Sequence, residues 1–316
     1  MKIGIDIMGG DYSPRIRIRG AIEAKKELSS NIKLVLIGDE KIIKKIFQQE
    51  QEDINQFEIV HASETIGMSE HPAKSFVKKQ KSGISIGYKL LSSNKIDGFA
   101  SAGNTGAMLV GAMYTVKVIS NVIRPAISTV MPKDNGKLAV LLDVGINPDV
   151  KPEVLYQYAI IGSVYAESIF GIKNPRVGLL SIGSEKEKGN LLTKATYEIM
   201  KNTDDFNFIG NVEGTDFFND EKADVIVCDG FTGNIVLKGA EAFYSLIKKK
   251  KVKNKFFDTF NPESYGGTPI LGINSNVIIG HGASSIFAIK NMIIKTKTVI
   301  EVNLSEKIKT AFKQKI

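Results

Sequence analysis

Cysteine is almost absent from this sequence, since Cys228 is the only one among 316 residues. A single cysteine cannot close an internal disulfide, which favours a reducing compartment. The three histidines, His61, His71 and His281, show no metal-ligand spacing. No apolar run reaches the roughly 18 residues that a membrane-spanning helix needs, and the first residues carry no apolar signal core. We therefore expect no disulfide scaffold, no metal site, no membrane span and no secretory signal.

Several familiar chemical fingerprints are missing as well. There is no G-x-G-x-x-G or G-x-x-x-x-G-K-[ST] motif for nucleotide phosphates and no G-x-S-x-G elbow for a serine nucleophile. Cys228 ends an apolar run, which is typical of a buried and inert thiol. Glycine amides, asparagines, threonines, lysines and carboxylates remain. That set suits phosphate binding and oxyanion stabilisation without a protein nucleophile.

Apolar strands alternate with helices along the whole chain. Lys33–Ile37, for example, predicts a strand, and Pro152–Phe170 predicts a long helix. Continuous apolar strands between helices predict an α/β fold of three layers, α/β/α, with a mostly parallel sheet. No repeat or Pro/Ser-rich linker interrupts the pattern. We therefore expect a single catalytic unit over residues 1–316, with a helical and loop excursion at about 234–272.

One stretch of small and polar residues, Ser101–Ala107, stands between a predicted strand and a predicted helix. Asn104 or Thr105 can cap the helix by accepting from its free amides. Gly103 and Gly106 would let a ligand approach the backbone. A helix N-terminus of this kind suits an anion such as phosphate, although an ordinary capped turn explains the same residues equally well.

Glycine and polar residues also follow other predicted strands. In a mostly parallel sheet, ligands bind outside the carboxyl ends of the strands, so we expect these segments to form one composite site. The segments are 8–11, 143–149, 183–190, 228–234 and 280–282.

Taken together, these segments resemble the bacterial phosphate acyltransferases that make acyl phosphate from acyl-acyl carrier protein. The resemblance also rests on Asn211–Gly214 and on Tyr265-Gly266-Gly267 with Pro269, and the motifs run in the family's order over nearly the whole chain. It implies that inorganic phosphate attacks the acyl thioester and releases the carrier protein. It further implies a phosphotransacetylase-like and isopropylmalate dehydrogenase-like fold, a homodimer, a cytoplasmic location with peripheral membrane contact, and no cofactor or metal.

Within this reading, three residues are assigned to catalysis. Lys188 assists the leaving thiolate, with its pKa lowered by burial. Without the resemblance, a solvated charge in a Glu- and Lys-rich loop would be the better explanation of Lys188. Asn190 stabilises the oxyanion, and Asp229 holds the donors in place together with Asp143. A second set is assigned to substrate and phosphate binding: Asp6, Gly10, Asp11, Ser101, Gly103, Asn104, Thr105, Gly106, Asp143, Asn147, Thr232, Gly233, Asn234 and His281. Thr232 and the Gly233 amide are further candidates for the oxyanion, and His281 has the alternative role of packing its own turn.

A lysine run beside aromatic residues follows the predicted helix 234–250. Lysines on headgroups and rings in the interface suit an anionic membrane surface. The same lysines could steer an acidic carrier protein, and the rings could instead lie in a dimer core. The residues assigned to this contact are Lys249, Lys250, Lys253, Phe256, Phe257 and Phe260. We also expect contact with the downstream glycerol-3-phosphate acyltransferase, and none with nucleic acid.

Two other classes of function remain open on the sequence. A phosphotransacetylase-like enzyme or a dehydrogenase of the same fold would act on a small acid, and the dehydrogenase would need a nicotinamide. A non-enzymatic binder of acidic partners would use the net charge of +8 and would bind with a steep salt dependence. The lysine-rich composition by itself explains that charge without any partner.

Overall fold

The computed structural model describes residues 1–12 and 14–313. The chain folds into two compact units. Unit 1 comprises Met1–Val118 and Pro262–Asn303, and unit 2 comprises Ile119–Asn261 and the chain from Leu304. The chain passes between units three times without a Pro/Ser-rich linker, which is why the sequence suggests no boundary. That the whole chain is one catalytic unit stays a prediction.

The first segment of unit 1 alternates strands and helices. Its strands are β1 (Lys2–Asp6), β2 (Lys33–Gly38), β3 (Phe57–His61) and β4 (Gly98–Ser101). Its helices are α1 (Arg15–Glu27), α2 (Glu40–Glu50), α3 (Pro72–Lys78), α4 (Gly83–Ser92) and α5 (Thr105–Gly111). A π-helical turn, Ala112–Val116, extends α5.

The central segment forms most of unit 2. Its strands are β5 (Ala126–Pro132), β6 (Leu138–Leu142), β7 (Arg176–Leu180), β8 (Asn207–Val212) and β9 (Val225–Val227). Its helices are α6 (Pro152–Phe170), α7 (Leu191–Met200), α8 (Gly230–Lys249) and α9 (Lys255–Asp258).

The chain then returns to unit 1 and ends in unit 2. The returning elements are α10 (Pro262–Tyr265), β10 (Thr268–Leu271), β11 (Asn276–Ile279) and α11 (Ile286–Glu301), and α12 (Leu304–Lys313) follows in unit 2. Short 3₁₀ turns at Ile54–Gln56 and Gly214–Asp216 complete the described elements. Among the described residues, 1–12 and 14–313, no helix has both the length and the apolar character that crossing a bilayer requires.

The strands of unit 1 follow the order β3-β2-β1-β4-β11-β10. All neighbouring pairs are parallel except β10 with β11. Two adjacent residues of β4, Gly98 and Phe99, face helices on opposite sides of the sheet. A Cβ on Gly98 would meet Ile300 of α11, whereas Phe99 lies where a Cβ on Gly87 of α4 would point. Successive strand residues point to opposite faces, so helices lie on each side of this sheet.

The strands of unit 2 follow the order β5-β6-β9-β7-β8, with only β5 antiparallel to its neighbour. One face of this sheet packs in a buried cluster that includes Leu141, Leu180 and Cys228, against Val236 and Leu237 of α8. The other face packs on α6, where a Cβ on Gly162 would meet Val225 and Leu142. The α/β fold with a mostly parallel sheet, predicted from the sequence, is confirmed.

Three differences from the sequence prediction have physical reasons. Helix α8 begins at Gly230 instead of Asn234, because the Asp229 side chain caps the backbone N–H of Thr232. Strand β10 was not predicted, because it is short and contains Pro269. Proline has no backbone N–H to donate between strands, so its presence argues against a strand in the sequence. The helices α9 and α10 span only four residues each, too few for a periodic pattern.

Candidate functional site

A buried carboxylate organises the loops that follow the first and fourth strands of unit 1. Asp6 ends β1 and is 2 % exposed. The Ser101 hydroxyl donates to Asp6 Oδ2 at 2.7 Å, and the N–H of Gly103 donates to Ser101 Oγ at 3.0 Å. Burial raises the pKa of Asp6, while bonds from Ser101 and Met8 and the Arg17 charge oppose the rise. Asp6 and Ser101, both assigned from the sequence, therefore lie together and order the loop at Gly103.

Arg17 of α1 links the loops of unit 1 from beneath, and the sequence analysis did not identify it. Its side chain has no exposed surface. Its guanidinium donates to the carbonyl of Gly9 at 3.0 Å, that of Ser284 at 3.0 Å and that of Gly282 at 2.6 Å. Burial lowers the pKa of Arg17, and the charges of Asp6 and Asp11 oppose that shift. One cation thus fixes two loops that are more than 260 residues apart in the chain.

Gly10 is a position that leaves no room for a side chain. Its φ is +99°, and a Cβ would lie 2.0 Å from Arg17 Nη2 and 2.8 Å from the carbonyl oxygen of Ala102. The next residue, Asp11, donates its backbone N–H to the Gly282 carbonyl at 3.0 Å, and its side chain is exposed. Gly10 and Asp11 therefore belong to the same group of loops as Asp6.

The side chain of Asn104 makes its hydrogen bonds to backbone groups of the protein. Its Oδ1 accepts from the N–H of Ala107 at 3.0 Å, which caps α5 as predicted. Its Nδ2 lies within 3.0–3.2 Å of the carbonyl oxygens of Gly67, Met68 and Glu70. The Asn104 side chain was expected to contact phosphate, but its Nδ2 group already bonds these carbonyl oxygens. Asn104 therefore positions the 67–70 loop instead.

Gly103 and Gly106 have a different role from the one expected. A Cβ on Gly106 would lie 2.3 Å from Pro72 of α3, and a Cβ on Gly103 would crowd Ser101 and Asp6. Both glycines therefore allow close internal packing, rather than opening the backbone to a ligand. The Thr105 side chain, by contrast, is exposed at the start of α5.

His281 mainly braces its own turn. The N–H of Ala283 donates to His281 Nδ1 at 3.2 Å, and the N–H of Ser284 donates to the His281 carbonyl at 3.0 Å. This geometry agrees with the alternative role considered for the residue. Its ring is exposed next to the Gly280 and Gly282 loop.

A second buried carboxylate, Asp143, follows strand β6 in unit 2 and has no exposed surface. It accepts from the N–H groups of Asn147 at 2.7 Å, Ile127 at 3.2 Å and Ile146 at 3.3 Å. Burial raises the pKa of Asp143, and the bonds from Asn147 oppose the rise. The Asn147 side chain also donates to Asp143 and lies 2.8 Å from the Tyr158 hydroxyl. Asp143 and Asn147 thus form one network.

Asp229 caps the helix that follows β9. Its carboxylate accepts from the N–H of Thr232 and from the Thr232 hydroxyl, each at 2.8 Å. The Gly233 N–H donates to the Asp229 carbonyl at 3.0 Å. The expectation that the Gly233 amide stabilises an oxyanion is therefore wrong, because α8 starts early enough to use that amide internally. Asn234 is exposed one residue later, and a Cβ on Gly145 would lie 3.4 Å from its Oδ1.

The 183–190 loop of unit 2 carries two of the residues assigned to catalysis. Asn190 caps α7, with its Oδ1 accepting from the N–H of Thr193 at 2.9 Å. Lys188 is exposed, so the expected burial is absent and the side chain fits the alternative of a solvated charge. The roles of Lys188 and Asn190 stay predictions, now for a solvent-accessible loop.

Cys228 is a buried thiol, as the sequence predicted. Its Sγ lies 3.6 Å from the carbonyl oxygen of Asp143, and burial raises the pKa of the thiol well above its ordinary value. A group that resists ionisation in this way makes a poor nucleophile.

Comparison with known proteins identifies the family. A model of the family described as "Fatty acid synthesis protein" matches residues 1–307. This chain belongs to that family.

Its relatives in the fatty acid synthesis protein family are similar over nearly their full length. The chain is 44% identical to a phosphate acyltransferase of Dictyoglomus turgidum, covering 98% of this chain and 96% of the relative. It is 41% identical to a phosphate acyltransferase of Halothermothrix orenii, covering 96% of each.

Solved structures support the fold. A phosphotransacetylase from Streptococcus pyogenes matches with a TM-score of 0.69 and 16% identity, covering 97% of this chain and 94% of the other. A putative 4-hydroxythreonine-4-phosphate dehydrogenase from Salmonella typhimurium matches with a TM-score of 0.58 and 11% identity, covering 94% and 99%. At these identities the likeness shows the fold alone, and it agrees with the fold that the family resemblance implied.

In the 249–260 segment, the lysines are exposed as a surface contact requires, but the phenylalanines are partly buried. Lys249, Lys250 and Lys253 are exposed. The phenylalanines, however, are half-buried in an aromatic cluster. Phe256 lies 5.8 Å from Phe257 and 5.6 Å from Phe260, measured between ring centroids. Further pairs join this cluster to Phe243 and Phe218. The rings are therefore only partly available to an outside surface.

Proposed function

We propose that this chain transfers a fatty acyl group from acyl-acyl carrier protein to inorganic phosphate, giving acyl phosphate for phospholipid synthesis. The observation that carries the proposal is the 44% identity, over 98% of the chain, to a protein named phosphate acyltransferase. A phosphate oxygen attacks the thioester carbonyl, the C–S bond breaks, and the carrier thiol leaves with a proton.

The loops of unit 1 suit the phosphate. The backbone at Gly10 packs closely against Ala102 and Arg17. The buried Arg17 supplies positive charge next to the Gly10 loop. Low polarity around a buried cation strengthens its attraction for an anion. The exposed Thr105 adds a hydroxyl at the N-terminus of α5, where the helix end favours an anion.

The loops of unit 2 supply groups for the acyl side of the reaction. Lys188 and Asn190 lie on an accessible loop, where a cation can assist a leaving thiolate and an amide can donate to an oxyanion. The buried Cys228, with its raised pKa, supports direct attack by phosphate over an acyl-enzyme.

The decisive assay incubates the purified chain with acyl carrier protein charged with a fatty acid, with and without phosphate, and traps acyl phosphate with hydroxylamine. We expect hydroxamate to form well above the phosphate-free control, which measures direct attack of hydroxylamine on the thioester. Equal yields in both reactions, or a nicotinamide-dependent absorbance change with a hydroxy acid, would contradict the proposal.

The proposed partners are acyl carrier protein, a second copy of the chain, the downstream glycerol-3-phosphate acyltransferase and an anionic membrane reached peripherally from the cytoplasm. The exposed lysines of the 249–260 segment support the membrane contact. Val252, 48% exposed between them, adds apolar surface. Each lysine near an anionic surface contributes about 1 kcal/mol of attraction.

Vesicle sedimentation tests the membrane contact. The variant Lys249→Glu, Lys250→Glu, Lys253→Glu keeps the aromatic cluster intact, which phenylalanine substitutions would not. It should lose binding to anionic vesicles. The control Lys41→Glu, Lys45→Glu, Lys74→Glu changes exposed lysines of unit 1 by the same charge and should retain binding. Equal binding of both variants would point to the carrier protein or a second copy as the occupant of this segment.

A further inference from the structure

Two polar atoms lie unpaired in unit 2, under the 183–190 loop. Asn211 is 6% exposed, and its Oδ1 has no hydrogen-bond partner among the described residues. The same is true of Ser181 Oγ. A buried polar atom without a partner is costly, so such atoms are rare unless something else completes them.

The two side chains share one face of the sheet. Leu179 of β7 is the register partner of Asn211 of β8, and register partners point to the same side. Ser181 lies two residues beyond Leu179, so it points to that side as well. Both positions are at the carboxyl ends of parallel strands, where ligands of such sheets bind.

The 183–190 loop covers this pair. Asn211 Nδ2 donates to the Glu185 carbonyl at 2.8 Å, and a Cβ on Gly189 would lie 2.8 Å from Ser181 Oγ. Residues 184–188 of the loop are exposed. Outward movement of the 183–190 loop would expose Ser181 Oγ and Asn211 Oδ1 to a ligand.

The chemistry of the pair selects its ligand. Asn211 Oδ1 can only accept a hydrogen bond, while the Ser181 hydroxyl can donate one. The N–H and C=O of a trans secondary amide point in opposite directions. An amide lying between the two side chains can therefore donate to Asn211 Oδ1 and accept from Ser181 Oγ. Two large apolar side chains flank the loop, Ile182 at 81% and Leu191 at 89% exposure, and they suit an alkyl chain.

We infer that Ser181 and Asn211 bind an amide of the pantetheine arm of the acyl donor, with Ile182 and Leu191 against its acyl chain. The inference rests on the proposed function for the identity of the donor. It assigns recognition of the thioester arm to this loop of unit 2.

The experiment compares two donors with the same acyl group, decanoyl-pantetheine and S-ethyl decanethioate, of which only the first has amides. We expect the wild type to prefer decanoyl-pantetheine at least tenfold in kcat/KM. Ser181→Ala and Asn211→Ala should each reduce that preference roughly fivefold, as expected for one lost hydrogen bond, and leave KM for phosphate unchanged. The control Ser163→Ala removes a hydroxyl of α6 that bonds the Ala159 carbonyl, and it should keep the full preference.

The wild-type comparison does not depend on whether any variant folds. A wild type that treats the two donors alike overturns the inference, and so do variants that raise KM for phosphate but keep the preference. If no thioester yields acyl phosphate, the proposed function fails separately. Calorimetric binding of decanoyl-pantetheine without phosphate then decides the inference, because equal affinity of wild type and Ser181→Ala would overturn it.

Discussion

Replacing Arg17 should disable the phosphate loops of unit 1 without touching their exposed surface. The perturbation is Arg17→Met, which keeps much of the apolar stem and removes the guanidinium. Three carbonyl oxygens, those of Gly9, Gly282 and Ser284, then lose their donor. Hydrogen bonds to a charged group contribute about 1.5–3 kcal/mol each, and partial relaxation toward water recovers some of the loss. We therefore expect a fall of about 3–5 kcal/mol in the free energy of unfolding, the range found when buried charged networks are broken.

Two further variants make this prediction sharp. Arg17→Lys keeps the charge, but a compact ammonium cannot reproduce the rigid fork of donors, so it should recover only part of the stability. Arg19→Met lies two residues along the same helix, where its guanidinium is half-exposed and 3.6 Å from Glu50. It should change stability by no more than about 1 kcal/mol, as exposed ion pairs do.

Urea unfolding and the phosphate dependence of acyl phosphate formation provide the measurements. Arg17→Met should raise KM for phosphate more than KM for the acyl donor, because the loops that it releases belong to the proposed phosphate site. The reasoning is refuted if Arg17→Met matches Arg19→Met in both stability and KM for phosphate.

Three further predictions test other parts of the structure. Cys228→Ala should keep substantial turnover, and an acyl group found on Cys228 by mass spectrometry, with the variant inactive, would refute direct transfer. Gly233→Ala should destabilise by at least about 1–3 kcal/mol, because its Cβ would lie 1.9 Å from the Asp143 carbonyl oxygen, whereas Gly239→Ala on the same helix meets nothing within 4 Å and should be neutral or stabilising. Burial lowers the pKa of Lys295 to about 8, so the folded chain binds fewer protons than the unfolded chain above that pH. Stability of the wild type relative to Lys295→Met should therefore rise from about pH 8 to 10, and a pH-independent difference would contradict the assignment.

Helix bounds were predicted well where the chain carries its own stop signals. Helix α6 has the predicted bounds, because Pro152 suits its first turn and Gly171 ends it with a φ of +67°. Helix α8 was placed four residues late, because Asp229-Gly230 reads as a loop until the Asp229 cap is seen. Local signals fix an element only when the capping residue is recognised as such.

The contacts within the candidate site were much harder to predict. Nothing in a single sequence separates Arg17 from Arg15 and Arg19 on the same helix, yet only Arg17 is fully buried. Its partner Ser284 is 267 residues away. The unpaired atoms of Ser181 and Asn211 are likewise visible only once the register of β7 and β8 is known. Sequence patterns locate strand ends, whereas tertiary packing decides which side chains meet there.

The two buried aspartates show how packing narrows the role that residue type alone leaves open. Asp6 and Asp143 each stand at the end of a strand, and burial raises the pKa of both. Both accept N–H bonds from the loop that follows, Asp6 from Met8 and Asp143 from Asn147. A carboxylate in contact with phosphate would repel it, and a buried like charge would be costly. Turned inward, the same carboxylates orient the loop backbones without facing the anion. We therefore assign both to positioning loops rather than to direct contact with phosphate, which leaves exposed hydroxyl and lysine groups, such as those of Thr105 and Lys188, to meet the substrates.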